Sequence, residues 1–244
     1  MPELIPALAA RAKGGTFPCM TDAKTRAAVA ALQHIRSGMT VGLGTGSTAK
    51  IFIDLLGAEL KASRLTDIRG IPTSERSDAQ ARSLGIPIVD FSVAEYCDVT
   101  VDGADEISPQ LDLIKGLGGA MLREKVVAQN SKKMIVIADE SKLVQTLGTK
   151  VSLPVEFVPF AAAVVKRHLQ ALGSTPVLRE DDGRPYITDN GNRIYHCKFP
   201  PIEKPAELDR AIRSRAGVAE TGLFVGIAAI CLVAGDTETV VMQR

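Results

Sequence analysis

Acidic side chains gather after an apolar run in the first half of the chain. The segment VDGADEI places Asp102, Asp105 and Glu106 within five residues. Carboxylates this close repel one another unless positive charge or hydrogen-bond donors lie beside them. The spacing therefore favours tuned proton chemistry or metal binding, and a plain acidic turn capped by Asp102 would leave the same pattern.

The next segment, LIKGLGGAMLREK, supplies the missing positive charge. Lys115 follows a short apolar run, and Gly116, Gly118 and Gly119 form a turn in which the backbone can approach a ligand closely. Glu124 lies in the helix expected behind these glycines, where it is either a site carboxylate or a solvated helix residue. Together the two segments indicate one charged site.

A glycine-rich loop upstream has the chemistry of an anion pocket. In VGLGTGSTAK, Gly44 and Gly46 let the chain turn from a strand into a helix, and Thr45, Ser47 and Thr48 add hydroxyl groups. Backbone N–H groups at a helix N-terminus attract phosphate. The loop lacks the Lys-Ser/Thr pair of a P-loop and the third glycine of GxGxxG. A tight strand-to-helix turn with a capping hydroxyl remains the alternative.

Alternating strands and helices must position these segments. The pattern of residues 21–150 predicts helices at 21–35, 47–56, 74–84 and 123–129, and strands at 39–44, near Ile68, and at 86–90, 97–103 and 132–139. Such alternation predicts a Rossmann-like α/β fold, a mostly parallel sheet with helices on both faces. The glycine-rich loop, Asp102 and Asp139 each follow a strand directly, so they should meet at the carboxyl edge where ligands bind.

The regular alternation of strands and helices changes after residue 150. The sequence predicts a strand at 153–159, a helix at 160–172, a strand near Val177, a polar turn, a hairpin around Asn190 and Gly191, and a helix after Pro205. This order predicts a smaller α+β, ferredoxin-like domain at 151–220. Residues 21–150 and 221–244 would form the larger α/β domain that carries the charged segments.

The first twenty residues do not continue either pattern. They contain no apolar core of secretory length, Glu3 is atypical of a transit peptide, and Met20 opens a second plausible start. We expect residues 1–20 to be an N-terminal extension that is either disordered or not native to the protein.

Composition excludes several classes of partner. The 244 residues carry a formal charge of +1 with the basic residues dispersed, so no nucleic acid is expected. The longest apolar stretch is shorter than the ~20 residues of a membrane span, so no membrane is expected. Four scattered cysteines favour a reducing, cytoplasmic location, and the three histidines provide no metal-ligand set.

The motifs occur together and in order, and the whole set resembles ribose-5-phosphate isomerase type A. GLGTGSTA, VDGADEI, IKGLGGAMLREK and IADESK match its signatures nearly residue for residue, and LPVEFVPF and ITDNGN are also similar. The likeness runs from about Thr21 to the carboxyl end. It implies an enzyme that interconverts ribose 5-phosphate and ribulose 5-phosphate without metal or cofactor, as a homodimer or homotetramer.

The resemblance also implies roles for individual residues. Glu124 matches the catalytic base, and Asp102, Asp105 and Lys115 would assist ring opening and proton movement. The substrate-binding positions implied are Lys24, Thr45, Gly46, Ser47, Thr48, Asp102, Gly103, Ala104, Asp105, Lys115, Gly116, Leu117, Gly118 and Lys142.

Two alternatives stay open from the sequence. A deaminase or CoA transferase of related fold should lack the paired DGADE and KGxGG loops. A sugar-phosphate sensor would bind without turnover, would need an output module, and would have no use for Glu124. Turnover of ribose 5-phosphate distinguishes both from an isomerase.

Overall fold

The structure, a computed structural model, describes residues 22–244. Among these residues the α-helices are α1 (Ala23–Leu32), α2 (Ser47–Lys61), α3 (Glu75–Ser83), α4 (Met121–Gln129), α5 (Ala162–Ala171) and α6 (Pro205–Arg213). No helix in this part of the chain is both long and apolar enough to cross a membrane. The predicted extension at residues 1–20 lies outside the described residues.

Fifteen strands alternate with these helices within residues 22–244. The strands are β1 (Thr40–Leu43), β2 (Arg69–Pro72), β3 (Val99–Asp102), β4 (Glu106–Ile107), β5 (Leu113–Ile114), β6 (Met134–Asp139), β7 (Leu153–Phe157), β8 (Thr175–Leu178), β9 (Glu180–Asp181), β10 (Arg184–Pro185), β11 (Arg193–Lys198), β12 (Val218–Thr221), β13 (Leu223–Phe224), β14 (Ala228–Ala234) and β15 (Thr239–Gln243).

A six-stranded sheet forms the centre of the larger unit. Its order is β15-β14-β6-β3-β1-β2, and every pairing is parallel except that of the edge strand β15 with β14. The predicted Rossmann-like α/β fold is confirmed. Because β1, β3 and β6 are neighbours, the loops that follow them meet at one edge of the sheet.

Apolar side chains cover both faces of this sheet. On one face, α1 and α2 bury Ala28, Phe52 and Leu56 against strand residues such as Val101 and Ile137. On the other, α4 and a three-stranded sheet of β13-β5-β4 lie over β6 and β14. The helices on both faces leave only the strand ends open to ligands.

A second, four-stranded antiparallel sheet has the order β12-β7-β11-β8. With α5 between β7 and β8 and α6 between β11 and β12, this is a β-α-β-β-α-β unit of ferredoxin-like topology. Helices and strands pack around a separate core that includes Phe157, Leu169, Tyr195 and Ile212. The ring of Phe157 stacks on Tyr195 with centroids 4.3 Å apart.

Three predicted elements differ from the structure. Residues 86–90 form no strand and contribute one parallel bridge from Ile88 to Gly70, because Pro87 removes a ladder donor. The turn at Asn190 and Gly191 forms, but no strand precedes it, so the predicted hairpin is wrong; the hairpin lies earlier, as β9 and β10. The predicted helix at 160–172 begins as a 3₁₀ turn, Pro159–Ala161.

Candidate active site

The sheet brings the glycine-rich loop against Asp102. β1 pairs with β3, so the loop after β1 meets Asp102 at the end of β3. A Cβ atom on Gly44 would lie 2.3 Å from Oδ1 of Asp102, so a residue without a side chain is required at this position. The same oxygen accepts hydrogen bonds from the N–H groups of Thr45 at 3.0 Å and Gly103 at 2.7 Å.

Lys115 joins two buried carboxylates. Its Nζ lies 3.0 Å from Oδ2 of Asp102 and 3.2 Å from Oε2 of Glu124, and it donates a hydrogen bond to the Gly103 carbonyl at 2.6 Å. All three charged side chains are at least 97% buried, with exposures of 3%, 1% and 3% for Lys115, Asp102 and Glu124. One ammonium therefore serves two carboxylates that are shielded from water.

Burial changes the protonation of this cluster. Loss of solvation raises the pKa of Glu124 to about 8, and the charge of Asp102 adds to this rise although the Lys115 ammonium opposes it. Burial also raises the pKa of Asp102 against the opposing effect of Lys115. The two carboxylates outweigh burial at Lys115 and raise its pKa, so this side chain is a permanent cation.

The third acidic residue, Asp105, lies between β3 and β4 and is held by the loop that follows β5. Oδ2 of Asp105 accepts a hydrogen bond from the Leu117 N–H at 3.0 Å. Gly116 has a φ of 98°, which lets the chain turn from Lys115 toward α4. α4 then begins at Met121 and places Glu124 in its first turn, facing Lys115.

Positive charge and a helix N-terminus lie at the other end of the site. Nζ of Lys24 on α1 donates to Oγ of Ser47, the first residue of α2, at 3.1 Å. Asp139 ends β6 and accepts a hydrogen bond from the Ser141 N–H at 3.0 Å. Although partial burial opposes it, the Ser141 hydrogen bonds and the charges of Lys142 and Lys24 lower the pKa of Asp139. The charges of Lys24 and Lys142 and the N-terminus of α2 make this end of the site suitable for binding an anion.

A cavity of about 300 Å³ connects the two ends. Its lining includes thirteen residues that the sequence predicted: Lys24, Thr45, Gly46, Ser47, Thr48, Gly103, Ala104, Asp105, Lys115, Gly116, Gly118, Glu124 and Lys142. Asp102 and Leu117 do not line it. Asp102 lies behind Lys115, and Leu117 uses its backbone groups to hold the loop.

Glu106 has a different environment from the other two acidic residues of its segment. Its carboxylate accepts hydrogen bonds from the N–H groups of Gly148 at 2.5 Å, Lys150 at 2.6 Å and Val151 at 2.9 Å. Three N–H donors satisfy a fully buried charge, so Glu106 secures the chain before β7. The three carboxylates of VDGADEI therefore lie in two separate environments: Asp102 and Asp105 belong to the candidate active site, and Glu106 binds the chain before β7.

Some residues at the cavity were not predicted from sequence as site residues. Asp139 and Ser141 line it beside Lys142. Arg76 and Arg179 hold the glycine loop from outside, by hydrogen bonds to the carbonyls of Gly118 at 2.7 Å and Leu117 at 2.9 Å. The sequence predicts Asp139 at this edge of the sheet because it follows a strand, although it assigns Asp139 no role, and no local pattern marks either arginine.

Among residues 22–244, no group of three or more His, Cys, Asp or Glu side chains is arranged to hold a metal ion. The acidic residues that line the cavity instead contact Lys115 and the backbone N–H groups of Leu117 and Ser141.

Comparison with known proteins gives a consistent result. A family model described as ribose 5-phosphate isomerase A (phosphoriboisomerase A) matches residues 69–238. The ribose-5-phosphate isomerase A of Desulfatibacillum aliphaticivorans is 50% identical over 213 residues, which span 87% of this chain and 93% of that protein.

Solved structures agree in fold. A D-ribose-5-phosphate isomerase in complex with phospho-erythronic acid superimposes with a TM-score of 0.88 at 39% identity, covering 91% of this chain and 97% of that one. The ribose 5-phosphate isomerase of Plasmodium falciparum gives a TM-score of 0.89 at 36% identity, covering 92% of this chain and 99% of that one.

Proposed function

This chain belongs to the ribose 5-phosphate isomerase A family and interconverts ribose 5-phosphate and ribulose 5-phosphate, and we propose that Glu124 is the base that moves the proton. The reaction removes a proton from C2 of the open-chain aldose and returns one to C1 through a cis-enediolate. A carboxylate accepts such a proton best when its pKa is near the working pH. The position of Glu124 carries this assignment: it lines the cavity 3.2 Å from the Lys115 ammonium, and burial raises its pKa to about 8.

Lys115 and Asp102 would form one unit with the base. The Lys115 ammonium, 3.2 Å from Glu124, offsets negative charge that develops on the enediolate oxygens. Asp102 holds this ammonium from the side away from the cavity, at 3.0 Å. Asp105 lines the cavity and is placed to accept a hydroxyl proton during ring opening.

The anion-suited end of the cavity would bind the phosphate group. Lys24 and Lys142 supply charge, and the first turn of α2 supplies N–H groups and the hydroxyls of Ser47 and Thr48. The related enzyme solved with phospho-erythronic acid binds a phosphorylated four-carbon acid, which supports a site for a short sugar phosphate. Phosphate at this end would direct the sugar carbons toward Glu124.

Replacing Glu124 tests the base assignment. A Glu124→Gln variant keeps the side-chain shape and loses the proton acceptor, so kcat should fall by about 10²- to 10⁴-fold while the protein stays folded. Formation of ketopentose from ribose 5-phosphate measures this, with chelator present to remove adventitious metal. Glu95→Gln, on the exposed surface, is the matched control and should keep normal turnover.

Near-normal turnover by folded Glu124→Gln would remove Glu124 from the role of base. Exchange of the C2 proton with deuterated solvent adds a second readout, because it reports proton removal even when product release limits kcat. Ribose 5-phosphate binding by the unmodified chain without any turnover would instead indicate a sugar-phosphate sensor.

Some properties of the whole protein are also proposals. We infer a homodimer or homotetramer from the family likeness, and a cytoplasmic location from cysteines that are scattered in the sequence; Cys97, Cys197 and Cys231 are buried free thiols. We further propose that residues 21–150 and 221–244 form the catalytic domain and residues 151–220 the smaller one. The two sheets, each with its own core, support this division.

A further inference from the structure

The loop at 115–119 has only some of its polar backbone groups in hydrogen bonds. The Leu117 N–H donates to Asp105, and the Gly119 N–H donates to the Gly116 carbonyl at 2.9 Å. Within residues 22–244, the N–H groups of Gly116 and Gly118 donate to no acceptor. These two glycines are also the loop residues after Lys115 that line the cavity. The loop therefore presents two free donors at the site.

Arg179 fixes the direction of one of these donors. Its Nη1 donates to the Leu117 carbonyl at 2.9 Å. In a trans peptide the C=O and the following N–H point in opposite directions. A carbonyl turned toward Arg179 therefore turns the Gly118 N–H away from that side chain, and Gly118 lines the cavity whereas Arg179 is not among the lining residues.

Arg179 is itself held in place. Its guanidinium lies 3.7 Å from the centre of the Tyr186 ring, and its Nε lies 3.4 Å from Oδ1 of Asp181. The side chain is 17% exposed. Tyr186 also packs on the loop, since a Cβ on Gly119 would lie 2.3 Å from its hydroxyl oxygen. Arg179 and Tyr186, which follow β8 of the four-stranded sheet, thus contact the loop that follows β5.

We propose that Arg179 is a positioning residue for the isomerisation. It orients the Leu117–Gly118 peptide so that the Gly118 N–H donates to the enediolate oxygen formed opposite Glu124. A preoriented donor stabilises charge that develops in the transition state more than it stabilises bound substrate. This inference rests on the proposed mechanism, but it concerns a residue outside the cavity.

An Arg179→Met variant tests it. Methionine keeps the aliphatic stem under Tyr186 and removes the donor to Leu117, so we expect kcat to fall by about tenfold to a hundredfold, since losing one such donor outright costs 10²- to 10³-fold. KM should change by less than about threefold, because the lost interaction belongs to the transition state. Arg179→Lys retains a charged donor group, so its kcat should lie between the kcat of Arg179→Met and that of the unmodified enzyme.

Arg184→Met is the matched control, since Arg184 is exposed in the neighbouring β9–β10 hairpin. A kcat for Arg179→Met within twofold of the unmodified enzyme would overturn the proposal, as would an equal loss in Arg184→Met. A rise in KM that accounts for the whole loss would also overturn it. Should Arg179→Met fail to fold, Arg179→Lys replaces it: an ammonium does not reproduce the planar guanidinium geometry, so kcat should still fall with KM unchanged, and a kcat equal to that of the unmodified enzyme would overturn the proposal. Absence of turnover in the unmodified chain would contradict the proposed function instead.

Discussion

The charge of Lys115 sets how many protons the site holds. With both carboxylates ionised, the buried cluster would carry one uncompensated negative charge, which burial opposes. Asp102 accepts two backbone N–H groups that favour its ionised form. Glu124 accepts none from the described part of the chain. We therefore infer that the exchangeable proton of the cluster is bound at Glu124.

This inference predicts how activity depends on pH. Below a pKa of about 8, Glu124 is mostly protonated and is not a base, so kcat/KM should rise with pH and level off above that value. On the acid side, kcat/KM should rise by a factor that approaches about ten per pH unit. Measurements between pH 6.5 and 9.5 avoid the titration of the substrate phosphate, whose second pKa is about 6.

A flat profile across that range would contradict the raised pKa, because an ordinary glutamate is already ionised at its lower end. Glu124→Asp is the informative companion variant. It retains a carboxylate on a shorter stem, so it should keep a pH dependence of the same sign at a lower rate.

Helix α4 must be held rigidly because it carries Glu124. The next residue, Lys125, points to the other side of the helix, where its Nζ donates to Oε1 of Glu220 and to the Thr221 carbonyl, each at 2.8 Å. Asp209 on α6 lies 3.8 Å from the same atom. This buried cluster ties α4 to β12 and α6.

Removing this tie should destabilise the fold. Lys125→Met leaves Glu220 buried with only the 3.6 Å contact to Arg213 as a charged partner, so the free energy of unfolding should fall by about 3–5 kcal/mol. Urea unfolding measures the change. Lys132→Met breaks an exposed pair with Asp98 and should have little effect. If Lys125→Met lowers the free energy of unfolding no more than Lys132→Met does, the buried cluster does not secure α4.

Elements with strong local signals were predictable from the sequence. The helices α1 and α3 and the strands β1, β3 and β6 follow from periodicity and caps, and so does the meeting of their loops at one edge. The two-residue strands β4 and β13 were missed because each exists only through pairing with β5. Tertiary contacts decide such short elements.

The wrong hairpin prediction at Asn190 has a similar cause. Oε1 of the buried Glu156 on β7 accepts hydrogen bonds from the side chains of Thr188 at 3.0 Å and Asn192 at 2.9 Å, which close the turn on another strand. Arg179 was missed because its contact to Leu117 spans 62 residues of sequence. Sequence patterns identify the residues that do chemistry better than those that position them.

At the scale of the whole molecule, the cavity depends on segments far apart in sequence. Its lining residues fall between Lys24 and Lys142, while the central sheet behind it requires β14 from near the carboxyl end. The Lys115 N–H donates to the Gly222 carbonyl at 2.9 Å, and Gly222 in turn donates to Pro154 on β7. The four-stranded sheet is therefore linked to the segment that follows β5 next to Lys115.

Truncation tests whether the described residues suffice for activity. A chain that begins at Met20 retains Lys24 and all the other cavity-lining residues found within residues 22–244. We expect its kcat/KM to lie within about twofold of the full chain, since every residue to which we assign a role in the reaction is retained. Lys24→Met in the full-length protein is the contrasting variant: it should raise KM for ribose 5-phosphate and weaken the salt dependence of KM, because a phosphate-binding cation is lost. A truncated chain that folds but loses activity would show that residues 1–19 contribute to the site.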